Sequence, residues 1–225
     1  MPAFSTTDAA LLRMMQLGSP ALPVGAYAFS QGLEYAIDAN WLRSVDDVHD
    51  WLQHQILHGL ASVDLPLLMR LWQASADHDM RALAYWNAYV LACRETAEFR
   101  LSEIATGEAL ARLLPQLGIV LPDNLQPPTF LALFALAAHR WELSCEQAAL
   151  CYAWSWLENH VMAATKILPL GQTQSQVLLM KLQTAIPEAL GHANTLEDFQ
   201  LGSSLPALAI ASIKHETQYT RLFRS

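Results

Sequence analysis

His54 and His58 stand four residues apart, and Asp50 stands one turn before them. On a helix this spacing puts two imidazoles and a carboxylate on one face, where they can reach a single divalent ion. A stable site needs three or more fixed, deprotonated ligands. The neighbouring apolar positions Val48, Trp51, Leu52, Ile56 and Leu60 lie largely opposite, so a solvated helix face accounts for the same residues. His54 and His58 are therefore weak metal candidates, and no cofactor is expected. The other histidines, at 49, 78, 139, 160, 192 and 215, are scattered and read as structural.

A second concentration of charge is Arg94-Glu95-Thr96-Ala97-Glu98-Phe99-Arg100, followed by Glu103. Arg94 and Glu98 are spaced for an ion pair on one helical turn, worth only ~0.2–0.5 kcal/mol if exposed. The alternative is a buried or interfacial network, in which loss of one member strands the others. Both readings stand at this point. Catalytic signatures are missing: the chain has no Gly-x4-Gly-Lys-Ser/Thr, no Gly-x-Gly-x-x-Gly and no Gly-x-Ser-x-Gly. A non-enzymatic protein is expected.

The elements that carry these residues are helical. Apolar residues recur every three or four positions, and alternating β-branched runs are absent. Helix starts are read at Ser5 with Asp8, Ser44 with Asp47, Ser144 with Gln147, and Thr195 with Asp198, and Pro66 fits a first turn. The pattern predicts an all-α, bundle-like domain of about ten helices over 1–225. The spans are 7–17, 31–39, 45–62, 65–76, 79–92, 95–114, 129–139, 145–166, 173–185 and 205–213. Pro115, Pro122, Pro127 and Pro128 mark a long loop inside that domain. Segments 145–166 and 173–185 are apolar nearly all round, which places them centrally or against another subunit.

Composition limits the partners. The chain has 225 residues, 53% of them apolar, and only 15% charged, against about 25% charged in ordinary domains. So few charges leave apolar surface for partners. A net charge of -8 argues against nucleic acid and anionic membranes. Three cysteines without CxxC spacing fit a reducing compartment. The N-terminus lacks a basic region followed by an apolar core, and no apolar run reaches the ~18 residues of a membrane span. A cytoplasmic protein is expected.

The most unusual segment is Ser19-Pro20-Ala21-Leu22-Pro23-Val24-Gly25-Ala26-Tyr27-Ala28-Phe29-Ser30-Gln31-Gly32-Leu33-Glu34. Two prolines fix φ and two glycines permit positive φ, so this is a stiff loop carrying aromatic rings. Three further blocks accompany it: Arg94-Glu95-Thr96; Ala164-Thr165-Lys166-Ile167-Leu168-Pro169-Leu170-Gly171-Gln172-Thr173; and a tail, His215-Glu216-Thr217-Gln218-Tyr219-Thr220-Arg221-Leu222-Phe223-Arg224-Ser225. In type and order these blocks resemble the UreF family of urease accessory proteins. The Gly25-Ala26 pair departs slightly from the Gly-Gly or Gly-Ser of many members.

The resemblance implies an all-α homodimer in the cytoplasm. It would bind UreD (UreH in some species), recruit the GTPase UreG, and dock on apo-urease to support GTP-dependent nickel insertion. Such proteins have been likened to GTPase regulators and are not GTPases, in keeping with the missing P-loop. The resemblance also implies that residues 214–225 form a partner-binding tail that becomes ordered on UreD and packs near the loop. A Tyr27 hydroxyl to Arg221 guanidinium contact is expected there. Tyr219, Leu222, Phe223 and Arg224 belong to the same tail. Lys166, Gln172 and Gln176 would face UreG from the Pro169–Gly171 turn, with Lys166 alternatively compensating a helix end. For Glu34 two roles stay open, a lining group of a nickel passage and a structural group at a helix terminus.

Overall fold

The computed structural model describes residues 7–224, and among them are eleven α-helices and no strand. In chain order they are α1 (Asp8–Leu17), α2 (Leu33–Asp38), α3 (Val45–His54), α4 (Leu65–Ala76), α5 (Met80–Ala92), α6 (Ala97–Leu113), α7 (Phe130–Arg140), α8 (Cys145–Ile167), α9 (Gln172–Leu182), α10 (Ile186–Ala193) and α11 (Pro206–His215). The all-α expectation holds.

Side-chain oxygens start many of these helices by accepting orphan backbone N–H groups. Ser44 with Asp47 and Ser144 with Gln147 form the expected reciprocal boxes at α3 and α8. Two predicted starts differ. Thr7 caps α1, accepting from the Ala10 amide; Ser5 lies outside the described residues. Thr195 follows the end of α10, donating its hydroxyl to the His192 carbonyl, and the next short turn, Asp198–Gln200, starts from Glu197. The span predicted over 173–185 is α9 plus one turn of 3-10 helix. The chain then re-enters an α-helix, α10, because Pro187 sits in its first turn, where a missing N–H costs nothing.

The predicted gap at 63–64 is absent. Residues Gln55–Asp64 form a π-helix that joins α3 to α4 in one rod. Its wider turn is seen where the Leu65 amide bonds the Leu60 carbonyl, five residues back. Pro66 has no N–H for the Ser62 carbonyl four residues before it. That carbonyl instead accepts the Gly202 amide at 3.1 Å, which moors the distant 201–205 strand of loop to the rod.

The central helix is α7. Leu131 through Ala138 are all buried, and α4, α5, α6 and α8 surround them. The apolar-all-round reading placed α8 and α9 either centrally or against another subunit. Of these, α8 is buried along much of its length, whereas α9 exposes Val177 and Met180. Close approach of α6 to the start of α7 depends on Gly107. A Cβ there would collide with the Pro128 carbonyl oxygen and come within 2.8 Å of the Phe130 nitrogen. The proline-rich 118–129 loop is pinned to α5 by two side-chain amides, Asn87 Nδ2 to the Pro127 carbonyl (2.9 Å) and Asn124 Nδ2 to the Met80 carbonyl (2.6 Å). Among the described residues, no helix is long and apolar enough to cross a membrane.

Candidate functional site

Two buried polar networks organise the molecule. The first decides the Arg94 question. Thr96 is the N-cap of α6, so Arg94 precedes the helix and no Arg94–Glu98 turn pair forms. Arg94 turns inward: Nη2 lies 2.6 Å from Asp64 Oδ1 and 2.7 Å from Glu103 Oε2. Tyr152 donates its hydroxyl to Asp64 Oδ1 at 3.3 Å. The other Glu103 oxygen accepts the Leu131 amide at 2.9 Å, placing a carboxylate at the positive end of α7. Burial opposes a charged Arg94, but Asp64 and Glu103 more than offset it and hold the guanidinium pKa well above its usual value. Burial first, then the Asp64 charge, pushes the Tyr152 phenol up. This network ties the rod, the α5–α6 connection, α7 and α8 together. Thr96 adds a further tie, with its hydroxyl 2.7 Å from that of Ser212 on α11.

The second network joins the loop to the tail. Gly25 and Gly32 both take left-handed backbone, at φ 76° and 83°. At Gly32 a Cβ would meet the Ser212 amide at 3.1 Å and the Ala211 methyl at 3.2 Å, so α11 lies directly on the start of α2. Glu34, in the first turn of α2, is thereby brought to His215 in the last turn of α11. His215 Nε2 lies 3.0 Å from Glu34 Oε2, and its Nδ1 lies 3.0 Å from Glu98 Oε1. The His215 side chain is wholly buried, and both carboxylates nearly so. Burial alone would lower the histidine pKa. Hydrogen bonds donated by the ring to Glu98 and then to Glu34 outweigh that, and the net direction is upward.

The tail then folds back over this histidine. The amides of Leu222 and Phe223 donate to Glu34 at 2.7 and 3.0 Å, and the Arg224 amide donates to the Ala28 carbonyl at 2.7 Å. Arg221 Nη1 reaches Glu98 Oε1 at 3.5 Å. The expected Tyr27–Arg221 bond is therefore replaced: a buried carboxylate is a stronger partner for a guanidinium than a phenol. Tyr27 meets the tail through a cation instead. Lys166 Nζ lies 5.8 Å from the Tyr27 ring centre and 5.6 Å from that of Phe223, within range of cation–π attraction to both. The tail thus packs near the loop through contacts made within this one chain; Ser225 lies outside the described residues.

The remaining site residues sort by exposure. Tyr27 is 58% exposed, and Tyr219, Leu222, Arg221 and Arg224 also face outward, while Phe223 and Glu34 are buried. Both Glu34 oxygens are engaged by the tail amides, and one of them also faces His215 Nε2. Lys166 closes α8, and Gln172 and Gln176 open α9 across a turn locked by the Thr165 and Ser175 hydroxyls, 2.8 Å apart. Both glutamines are exposed. His54 and His58 are exposed with ring centres 5.7 Å apart, and Asp50 points its carboxylate at His49. Among the described residues, no three His, Cys, Asp or Glu side chains are grouped to hold a metal ion.

Sequence reasoning passed over His215 and Glu98 as a pair. One signal was present: Leu208, Ala211, Ser212 and His215 fall on a single stripe of α11, and the last three are fully buried. A histidine on a buried stripe needs partners, but their identity depends on tertiary contacts 117 and 181 residues away.

Comparison with known proteins identifies the family. The model of the UreF family matches residues 42–183. Three relatives carry the name urease accessory protein UreF. That of Marinomonas sp. (strain MWYL1) is 51% identical, covering 98% of this chain and 96% of its own. That of Alkalilimnicola ehrlichii is 49% identical, covering 95% of each. That of Pseudomonas putida (strain F1) is 48% identical, covering 97% of this chain and 99% of its own. The Arg94 network lies within the span that the family model matches, and these relatives cover nearly the whole chain; the chain belongs to the UreF family of urease accessory proteins.

Proposed function

We propose that this protein is a non-catalytic maturation scaffold of the cytoplasm, a single helical domain that binds UreD (UreH) and recruits the GTPase UreG for nickel insertion into apo-urease. Nickel is cargo of that assembly, and the chain itself supplies contact surface. One observation carries the reading: Tyr27, Lys166 and Phe223, from three distant parts of the sequence, converge where the tail lies on the loop. Around them stand Arg221, Arg224, Tyr219 and Leu222, all exposed. An aromatic surface carrying several cations, on a chain of net charge -8, suits an acidic partner face. Gln172 and Gln176 extend the same end along α9. Modulation of UreG turnover would act through this surface.

Pull-down from cells producing the accessory proteins and apo-urease tests it. Tyr27→Ala, Lys166→Ala and Arg221→Ala are expected to keep UreD and lose UreG. Unchanged UreG recovery from all three would reject the assignment. Exposed Met15, Trp154, Met162 and Met180 support a homodimer, since large apolar side chains left outside usually mark contacts. Sedimentation at the monomer value across the micromolar range would reject the dimer.

A further inference from the structure

His215 is held between two carboxylates, and each of its ring nitrogens faces an oxygen at 3.0 Å. A neutral imidazole has one N–H and one bare lone pair, so it can satisfy only one of them. The imidazolium donates to both. Every charged group against the ring enters this balance: Glu34 from α2, Glu98 from α6, and Arg221 from the tail, which reaches Glu98. With His215 charged, two positive groups face two negative ones. With His215 neutral, a buried carboxylate oxygen faces a lone pair and one negative charge is left over, an arrangement that burial makes costly.

The tail depends on the same carboxylate. Glu34 accepts His215 Nε2 and the Phe223 amide on one oxygen, and the Leu222 amide on the other. Its position therefore sets where the tail backbone can dock. We infer that docking of residues 216–224 is a proton-linked latch, closed while His215 is an imidazolium and loosened when it becomes neutral. This inference rests on the geometry of this chain and stands or falls independently of the maturation reading. The histidine pKa is raised in the docked form. Docking thus gains its full proton contribution below the ordinary histidine value of 6.5 and loses it as pH rises through the raised value. The composite surface of Tyr27, Lys166 and Phe223 would be assembled on the acidic side of the ring's titration and open on the alkaline side.

Nitrogen-15 NMR on the full-length chain tests the latch without any partner. The state of the His215 ring is read from its two nitrogen shifts. Tail docking is read from hydrogen exchange of the Leu222 and Phe223 amides, corrected for intrinsic rates, between about pH 6 and 9. The expected result is that His215 is doubly protonated at the acidic end. Protection of both tail amides should then fall as the ring titrates, by about tenfold for each unit by which docking raises its pKa. The Phe134 amide, in the core, should hold its protection. Glu98→Gln removes one charge from the ring's surroundings and should move both midpoints to lower pH together. A ring that is singly protonated near pH 6, or tail protection that stays flat while the ring titrates, would overturn the inference. If Glu98→Gln does not fold, the unmodified chain alone still decides between these outcomes.

Discussion

Arg94 shows how little a local pairing rule can say about a charge whose partners are remote. Four-residue spacing offered it Glu98, but the helix begins only at Thr96, and its real partners are 30 and 9 residues away. Removing it strands Asp64 and Glu103 in the interior. Arg94→Ala should lower unfolding free energy by ~3–5 kcal/mol, read from the urea midpoint, while Arg100→Ala on the exposed face should shift it little. His160 makes the opposite case to His215. It is buried against Trp156, donating its Nδ1–H to the Trp156 carbonyl, and its Nε2 has no hydrogen-bond partner among the described residues. Burial lowers its pKa to about 4. The unfolded chain therefore binds the extra proton first. Stability should fall as pH drops below 6.5 and go on falling to about 4, by on the order of 3 kcal/mol in all. Replacement by Gln should flatten that limb of the pH–stability curve.

Helices were legible wherever capping boxes and a three-to-four period coincided, as in α3 and α8. What could not be read was how they meet. Gly107 lies in a run of ordinary helix formers, and nothing local marks it as the point where α6 touches the backbone at 128–130. Gly107→Ala should cost ~1–3 kcal/mol through overpacking, although alanine is the better helix former. A gain in thermal stability would contradict the close packing described. Proline at 66 was read as a helix start because it belongs in a first turn. Its position inside a continuous rod follows from the π pitch before it, which no residue type announces. The loop at 19–34 and the tail were legible as special segments, since their prolines, glycines and aromatic rings are dense. Their coupling through Glu34 was not, because carboxylate and amide donors lie 188 and 189 residues apart.

Across the whole molecule, polar networks stand where helices converge, and the apolar core closes around α7. The chain ties its far ends together, so its interaction surface is a property of the tertiary fold. The rod from Val45 to Ala76 passes through that core and contacts α5, α7, α8, α9 and α10. Its π-helical stretch has a consequence for length. Ten residues with more residues in each turn cover about the rotation and rise of eight at α geometry. The rod thus carries roughly two residues of slack. Excising one exposed residue, His58, would turn α4 by about 100° against the core. Excising His58 and Gly59 together, with reversion to α pitch, would return α4 to register. The shorter deletion should therefore be the more damaging one, as judged by soluble yield and circular dichroism on melting.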